Sequence, residues 1–210
     1  MRIVIFGASG KTGMLLVHQA LDAGYELTVF VRNASTFQIR HKNLTVVQGT
    51  LSDVEKLIEA IQGADVCIST LGGNSLTKRS KEITSGIQNI IQVMELQGVS
   101  RLIYMSSLGA GESKYFMPAF IRFIIVNLML RIPLADHSQN EQNIMKSKLK
   151  WTIVRPGGLT DGVLNKNIKH GSDKILMKQN NSISRASVAY FILSQVVDLQ
   201  YNNKAVWLMV

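Results

Sequence analysis

The chain has one cysteine in 210 residues, Cys67, so no disulfide can form within it, as expected of a reducing compartment. Cys67 stands in an apolar run and reads as a small buried hydrophobe rather than a reactive thiol. Proline occurs three times, apolar residues make up 46% and charged residues 18%. That composition excludes a disordered chain, a collagen and a coiled coil. Acidic residues are scarce, 14 against 23 Lys and Arg, for a net charge of +9. Such a surplus suits an anionic partner, whether a nucleotide cofactor, nucleic acid or an acidic membrane face. With no nucleic-acid motif beside it, the charge supports only salt-sensitive, nonspecific contact with DNA or RNA. The chain also lacks an uninterrupted spanning segment: Tyr115 to Leu134 is strongly apolar but is broken by Pro118, Arg122, Asn127, Arg131 and Pro133. No histidine, cysteine or carboxylate cluster has metal-ligand spacing, so no metal is expected, and no Gly-x-Ser-x-Gly elbow appears. Met1 to Phe6 is too short for a signal peptide, and a cytoplasmic location is expected.

What is present is an alternation of apolar runs and amphipathic stretches. Strands are predicted at Ile3–Phe6, Leu27–Val31, Leu44–Val47, Val66–Ser69, Leu102–Met105, Trp151–Val154 and Ala205–Val210. Helices are predicted at Met14–Ala23, from an Asp53 N-cap to Ile61, at Ile83–Leu96 and at Ser187–Val197. Near-continuous apolar strands alternating with helices, with no linker or repeat, predict one α/β domain over residues 1–210: a doubly wound parallel sheet covered on both faces. Two regions fit less neatly. The apolar stretch Tyr115–Leu134 reads first as a core-facing helix, and alternatively as a flap over a pocket or a contact patch. The basic stretch from Asn165 to Arg185, with Lys166, Lys169, His170, Lys174 and Lys178, reads as a small substrate-side excursion with a solvated charged face.

The strongest chemical signal is Gly7-x-x-Gly10-x-x-Gly13, directly after the first strand and before the first helix. A pyrophosphate needs backbone N–H groups aimed at it and no side chain in its path, and a helix N-terminus adds a favourable dipole. Ser9 and Thr12 add hydroxyl donors. The end of the second strand carries Val31-Arg32-Asn33-Ala34-Ser35, without the carboxylate that usually holds the ribose 2′-hydroxyl of NAD. Arg32 can pair with a 2′-phosphate and Lys11 can reach the same charge, so NADP is favoured over NAD.

From this turn through Arg32, and onward through Leu71-Gly72, Met105-Ser106-Ser107 and Trp151-Thr152-Ile153-Val154-Arg155-Pro156-Gly157-Gly158, the chain resembles an atypical short-chain dehydrogenase/reductase. Within that group it is most similar to the NADPH-dependent flavin reductase/biliverdin-IXβ reductase family and its NmrA-like relatives. The resemblance implies a Rossmann domain in which Gly7, Ser9, Gly10, Lys11 and Thr12 hold the pyrophosphate side. Arg32 and Ser35 would meet the 2′-phosphate, Thr50 and Leu51 would border the adenine, and Leu71 and Gly72 would lie along the cofactor. Met105, Ser106, Ser107, Pro156 and His137 would approach the nicotinamide.

Ordinary members of the superfamily use Tyr-x-x-x-Lys, in which the lysine lowers the phenol pKa. None of the five tyrosines here has lysine four positions on; alignment with sugar-epimerase-like relatives puts Pro133 and His137 at those places. Alcohol/ketone chemistry and sugar-nucleotide epimerisation are therefore not expected. The flavin reductase family also lacks the tyrosine, and its serine matches Ser107; where it has a second histidine this chain has Gly158, which implies a wider pocket. Ser107 is the first candidate for polarising an acceptor, Ser106 a candidate cofactor contact. His137, with an ordinary pKa near 6.5, suits proton delivery; it also reads as a first-turn residue of a helix capped by Asp136 or Ser138. The expected function is NADPH-dependent hydride transfer to a flat conjugated acceptor such as a flavin or quinone. The alternative is a non-catalytic NADP(H)-binding sensor or scaffold.

Overall fold

The computed structural model describes residues 1–73, 75–116, 118–124, 129–173 and 182–210; Asn127, Lys174 and Lys178 of the stretches above lie outside them. The chain runs β1 (Arg2–Phe6), α1 (Lys11–Asp22), β2 (Glu26–Val31), β3 (Leu44–Gln48), α2 (Val54–Ile61), β4 (Val66–Ser69), α3 (Lys81–Leu96) and β5 (Arg101–Met105). After β5 come α4 (Ala119–Arg122), α5 (Arg131–Met145), β6 (Lys150–Pro156), β7 (Gly158–Thr160), β8 (Lys169–Gly171), β9 (Ser182–Ser184), α6 (Arg185–Ser194) and β10 (Lys204–Met209).

Eight strands form one sheet in the order β3-β2-β1-β4-β5-β6-β10-β8. All pairings are parallel except β10 with β8, which run antiparallel. The predicted all-parallel sheet thus gains an antiparallel edge strand from the basic excursion. A separate parallel pair, β7 with β9, completes that excursion.

The period-2 alternation of the strands divides the core. Ile3 and Ile5 point to a layer closed by Leu16, Val17 and Ala20 of α1 and by Val188 and Ile192 of α6. Val4 and Phe6 point to the opposite layer, against Leu57 of α2 and Ile87 and Ile90 of α3. Cys67 is fully buried in this second layer, where burial pushes its thiol pKa up, which fits a packing residue. The Asp53 carboxylate caps α2 by accepting from the Lys56 N–H at 3.1 Å, as predicted.

The region after β5 departs from expectation. Among the described residues, the stretch Tyr115–Leu134 does not follow the single core-facing helix predicted for it. Instead a 3-10 turn spans Gly111–Phe116, Pro118 precedes the four-residue α4, and α5 starts at Arg131. The prolines fit these starts: Pro118 is the N-cap of α4 and Pro133 lies in the first turn of α5, where a missing N–H leaves no helical bond unmade. Tyr115, Phe120, Phe123 and Met129 are exposed. No helix among the described residues is long and apolar enough to cross a membrane.

Candidate active site

The strand order reverses at β1 and β4, and a doubly wound sheet opens a crevice beyond the strand ends at that point. A cavity of about 1040 Å³ lies there, lined from the glycine turn at one end to Ser107 and His137 at the other.

The turn is backbone-tight. Gly7 has φ +82°, and a Cβ on it would stand 2.8 Å from Thr70 Oγ1. A Cβ on Gly13 would fall 2.1 Å from the Gly7 carbonyl oxygen, whereas one on Gly10 would sit at a looser 3.3 Å. Gly10 occupies the N-cap of α1 without a side chain to cap it. The first-turn N–H groups therefore have no intrahelical or capping partner, and they carry the positive end of the helix dipole. Space that only glycine leaves, beside uncapped amides, fits the diphosphate of a dinucleotide.

Gly7, Ser9, Gly10, Lys11 and Thr12 all line the cavity, and so do Arg32 and Leu51 on the side of β2 and β3. Leu71 and Gly72 line it after β4, Met105, Ser106 and Ser107 after β5, and Pro156 at the end of β6. Two predicted residues are not among its lining. The Ser35 N–H and hydroxyl both donate to Asn33 Oδ1, at 3.0 and 2.7 Å, in a side-chain turn. Thr50 Oγ1 lies 2.9 Å from Ser52 Oγ. Gly158 is also off the cavity, paired with Ser182 in the small sheet; its neighbours Gly157 and Leu159 form the wall.

Arg32 is exposed and makes no ion pair among the described residues. Lys11 behaves differently: its Nζ lies 3.0 Å from Asp161 Oδ2, and the other oxygen of Asp161 accepts from Arg185 Nη1 at 2.6 Å. The Lys11 hydrogen bond, aided by the Arg185 charge, holds the Asp161 carboxyl below the usual carboxylate range. Arg185, read from sequence as part of a solvated face, instead lines the cavity at the first position of α6.

Behind the far wall lie side chains that sequence reasoning missed. The Ser106 hydroxyl donates to Glu141 Oε1 at 2.6 Å, so it is committed to a buried carboxylate. Glu141 also accepts from Arg155 Nε and Nη2, at 2.8 and 2.7 Å, and Arg155 grips Glu112 with two further bonds. Burial alone would lower the Arg155 pKa, but the bonds to Glu141 and Glu112 outweigh it and the net shift is upward. The Ser107 hydroxyl is only half-buried and makes a long 3.3 Å bond to the Leu108 carbonyl, leaving it available to a ligand.

α5 begins at Arg131, a turn earlier than the sequence implied, so Asp136 and Ser138 do not cap it. Asp136 instead serves the start of α3, accepting from the Ser80 N–H at 2.7 Å and from Arg79 Nε. Ser138 donates back to the Leu134 carbonyl at 2.6 Å. His137 faces the cavity with its Nδ1 2.8 Å from the Tyr104 hydroxyl. Burial pushes the His137 pKa down to about 4, against a smaller upward pull from Asp136. The ring is therefore neutral near pH 7, unsuited to giving a proton as an imidazolium. No group of metal-ligating side chains occurs among the described residues.

An uncharacterized chloroplastic protein of Arabidopsis thaliana is 28% identical over 216 residues, which covers 98% of this chain and 75% of the relative. An anaerobilin reductase from Escherichia coli, ChuY, superposes with a TM-score of 0.82 at 24% identity, covering 100% of this chain and 97% of its own. A short-chain dehydrogenase/reductase from Veillonella parvula, solved in complex with NADP, superposes with a TM-score of 0.83 at 18% identity, covering 100% and 94%. These two likenesses establish the Rossmann fold. A family model described as NAD(P)H-binding matches residues 7–198, from the glycine turn to the end of α6 and beyond. The chain belongs to that NAD(P)H-binding family.

Proposed function

We propose that the protein is an NADPH-dependent reductase that delivers hydride to a flat, conjugated acceptor such as a flavin or quinone. The observation that carries this reading is the continuity of the cavity: one space is lined by the uncapped amides of α1 and by Ser107 and His137. When bound, the reduced nicotinamide supplies the hydride, and the protein has to orient the acceptor and exclude water. Gly7, Gly10 and the first turn of α1 would hold the diphosphate, with Lys11 and Arg185 available on release of Asp161. Arg32 would hold the 2′-phosphate, having no acidic partner to satisfy first. Ser107 would donate a hydrogen bond to the acceptor. A conjugated acceptor is already electrophilic, which fits a wall without a strong acid.

Loss of reduced-nicotinamide absorbance, followed over a panel of flavins, quinones and linear tetrapyrroles, tests this. Turnover of at least one acceptor is expected with NADPH, and R32A should weaken NADPH about tenfold or more while leaving NADH unchanged, as loss of a charge-assisted hydrogen bond implies. Tight NADPH binding without turnover of any acceptor would favour the non-catalytic sensor instead. The exposed aromatics Tyr115, Phe120 and Phe123, which lie off the cavity, would then be its contact face.

A further inference from the structure

Tyr104, in β5, is fully buried, and its hydroxyl has two neighbours on successive turns of α5. Asn140 Nδ2 lies 3.1 Å from it and His137 Nδ1 lies 2.8 Å from it. An amide nitrogen only donates, so the Tyr104 oxygen accepts from Asn140 and its one proton is left for His137 Nδ1. A neutral imidazole that accepts at Nδ1 carries its own proton on Nε2. That Nε2 has no hydrogen-bond partner among the described residues; it lies against the cavity wall, 3.7 Å from where a Cβ on Gly72 would stand. A Cβ at position 72 would stand in ordinary van der Waals contact with this nitrogen.

We propose that Tyr104 is a positioning residue that fixes His137 in its Nε2–H form, so that His137 meets the acceptor as a neutral hydrogen-bond donor and not as an acid. The role rests on the reductase reading given above; the tautomer does not. Neutral imidazole can polarise an acceptor in this way. A bound reduced nicotinamide would supply the hydride for the new bond to the acceptor and would itself be oxidised. Negative charge that builds on the acceptor is met by Nε2–H, and the completing proton comes from solvent water, so His137 ends with the proton it began with. Burial favours the neutral ring over the opposing pull of Asp136, and the nearby carboxylates have partners of their own. Asp136, beside His137, is taken up by Arg79 and the Ser80 N–H, and Glu141, below Tyr104, by Arg155 and Ser106. Burial keeps the Tyr104 phenol protonated, with its pKa pushed up.

Long-range proton–nitrogen NMR on the full-length, nitrogen-15-labelled protein, with the His137 signals assigned by their loss in H137Q, reads the tautomer directly. The expected result at pH 7 is Nε2–H with an unprotonated Nδ1. An Nδ1–H ring, which a reversed Asn140 amide would produce, or an imidazolium would overturn the proposal. Y104F removes the hydroxyl that donates to Nδ1, and the preference for Nε2–H should then fall, with Nδ1–H becoming populated; an unchanged tautomer in this variant also overturns the proposal. The role is read in turnover. Y104F should lower kcat about tenfold with the KM for NADPH unchanged, but less than about twofold in an H137Q background, since coupled neighbours are not additive. Equal losses in both backgrounds would mean that Tyr104 only packs. Absence of turnover with every acceptor defeats the reductase reading and with it the role, while NMR still decides the tautomer.

Discussion

One wall of the cavity is made of backbone and the other of buried side chains. Along the first, Gly7, Gly10 and Gly13 follow one another within a single strand-turn-helix, and what matters is the side chains that are missing. Behind the second, Glu112, Glu141 and Arg155 converge from separate segments on Ser106, which lines the cavity, with Arg155 and Glu112 43 residues apart. The backbone wall is shaped by local sterics and can form as soon as β1 meets α1. The side-chain wall exists only after α5 has docked on β5 and β6, and behind it the charges of Arg155 and Glu141 are shut away from water, while Glu112 closes the pair from the exposed side. It follows that the first wall resists everything except an added Cβ, while the second is fragile to loss of any one partner.

The sharpest way to break the comparison is Glu141→Gln. Arg155 and Glu141 are both essentially excluded from solvent, and removing one partner of such a pair typically costs about 3–5 kcal/mol. Urea unfolding should show that loss, while the NADPH affinity of the protein that remains folded changes little because the glycine turn is untouched. An equal loss of cofactor affinity would show that the two walls are not independent.

Acid should act on the side-chain wall next. His137 titrates near 6.5 in the unfolded chain and at about 4 in the folded one. Its contribution to stability is complete above pH 6.5 and is lost as pH falls from there toward 4, because the unfolded chain then binds a proton that the folded chain refuses. The loss is on the order of 2–3 kcal/mol. Thermal unfolding of wild type and H137Q between those pH values should diverge, with the flatter profile in the variant.

The smallest effect belongs to the backbone wall. Asp161 competes for Lys11 and Arg185 at its rim, so Asp161→Asn should tighten NADPH by about two- to fivefold at low salt and by less at high salt, as expected of exposed ion pairs. Calorimetric titration at two ionic strengths checks it. Since the Asp161 carboxyl is held below its ordinary range, the competition should persist into mildly acidic buffer.

Most of the scaffold was legible from the chain. Each predicted strand and helix outside residues 111–145 recurs within a few positions, because the apolar period and the capping residues report local structure directly. The glycine turn was legible for the same reason. The region after β5 was not: the apolar content of Tyr115–Leu134 suggested a buried helix, yet α4 starts only after Pro118, α5 starts at Arg131, and Phe120 and Phe123 are exposed. Tyr104 was passed over because no lysine stands four positions later; its partner comes instead from α5, 33 residues on. Arg185 looked like one solvated cation among several until α6 placed it over the cavity. A run of basic residues carries no mark of which one will be turned inward.

The order of apolar runs and glycines by itself determined a doubly wound sheet and a turn able to take a diphosphate, since both are written in the succession of strand, turn and helix. Only the tertiary structure decided that Ser106 serves Glu141 rather than a ligand, that Asp161 holds Lys11 and Arg185, and that His137 is neutral with one nitrogen committed to Tyr104. Those facts depend on burial and on partners from distant segments, and both come into being only when α5 and α6 close over the ends of the strands.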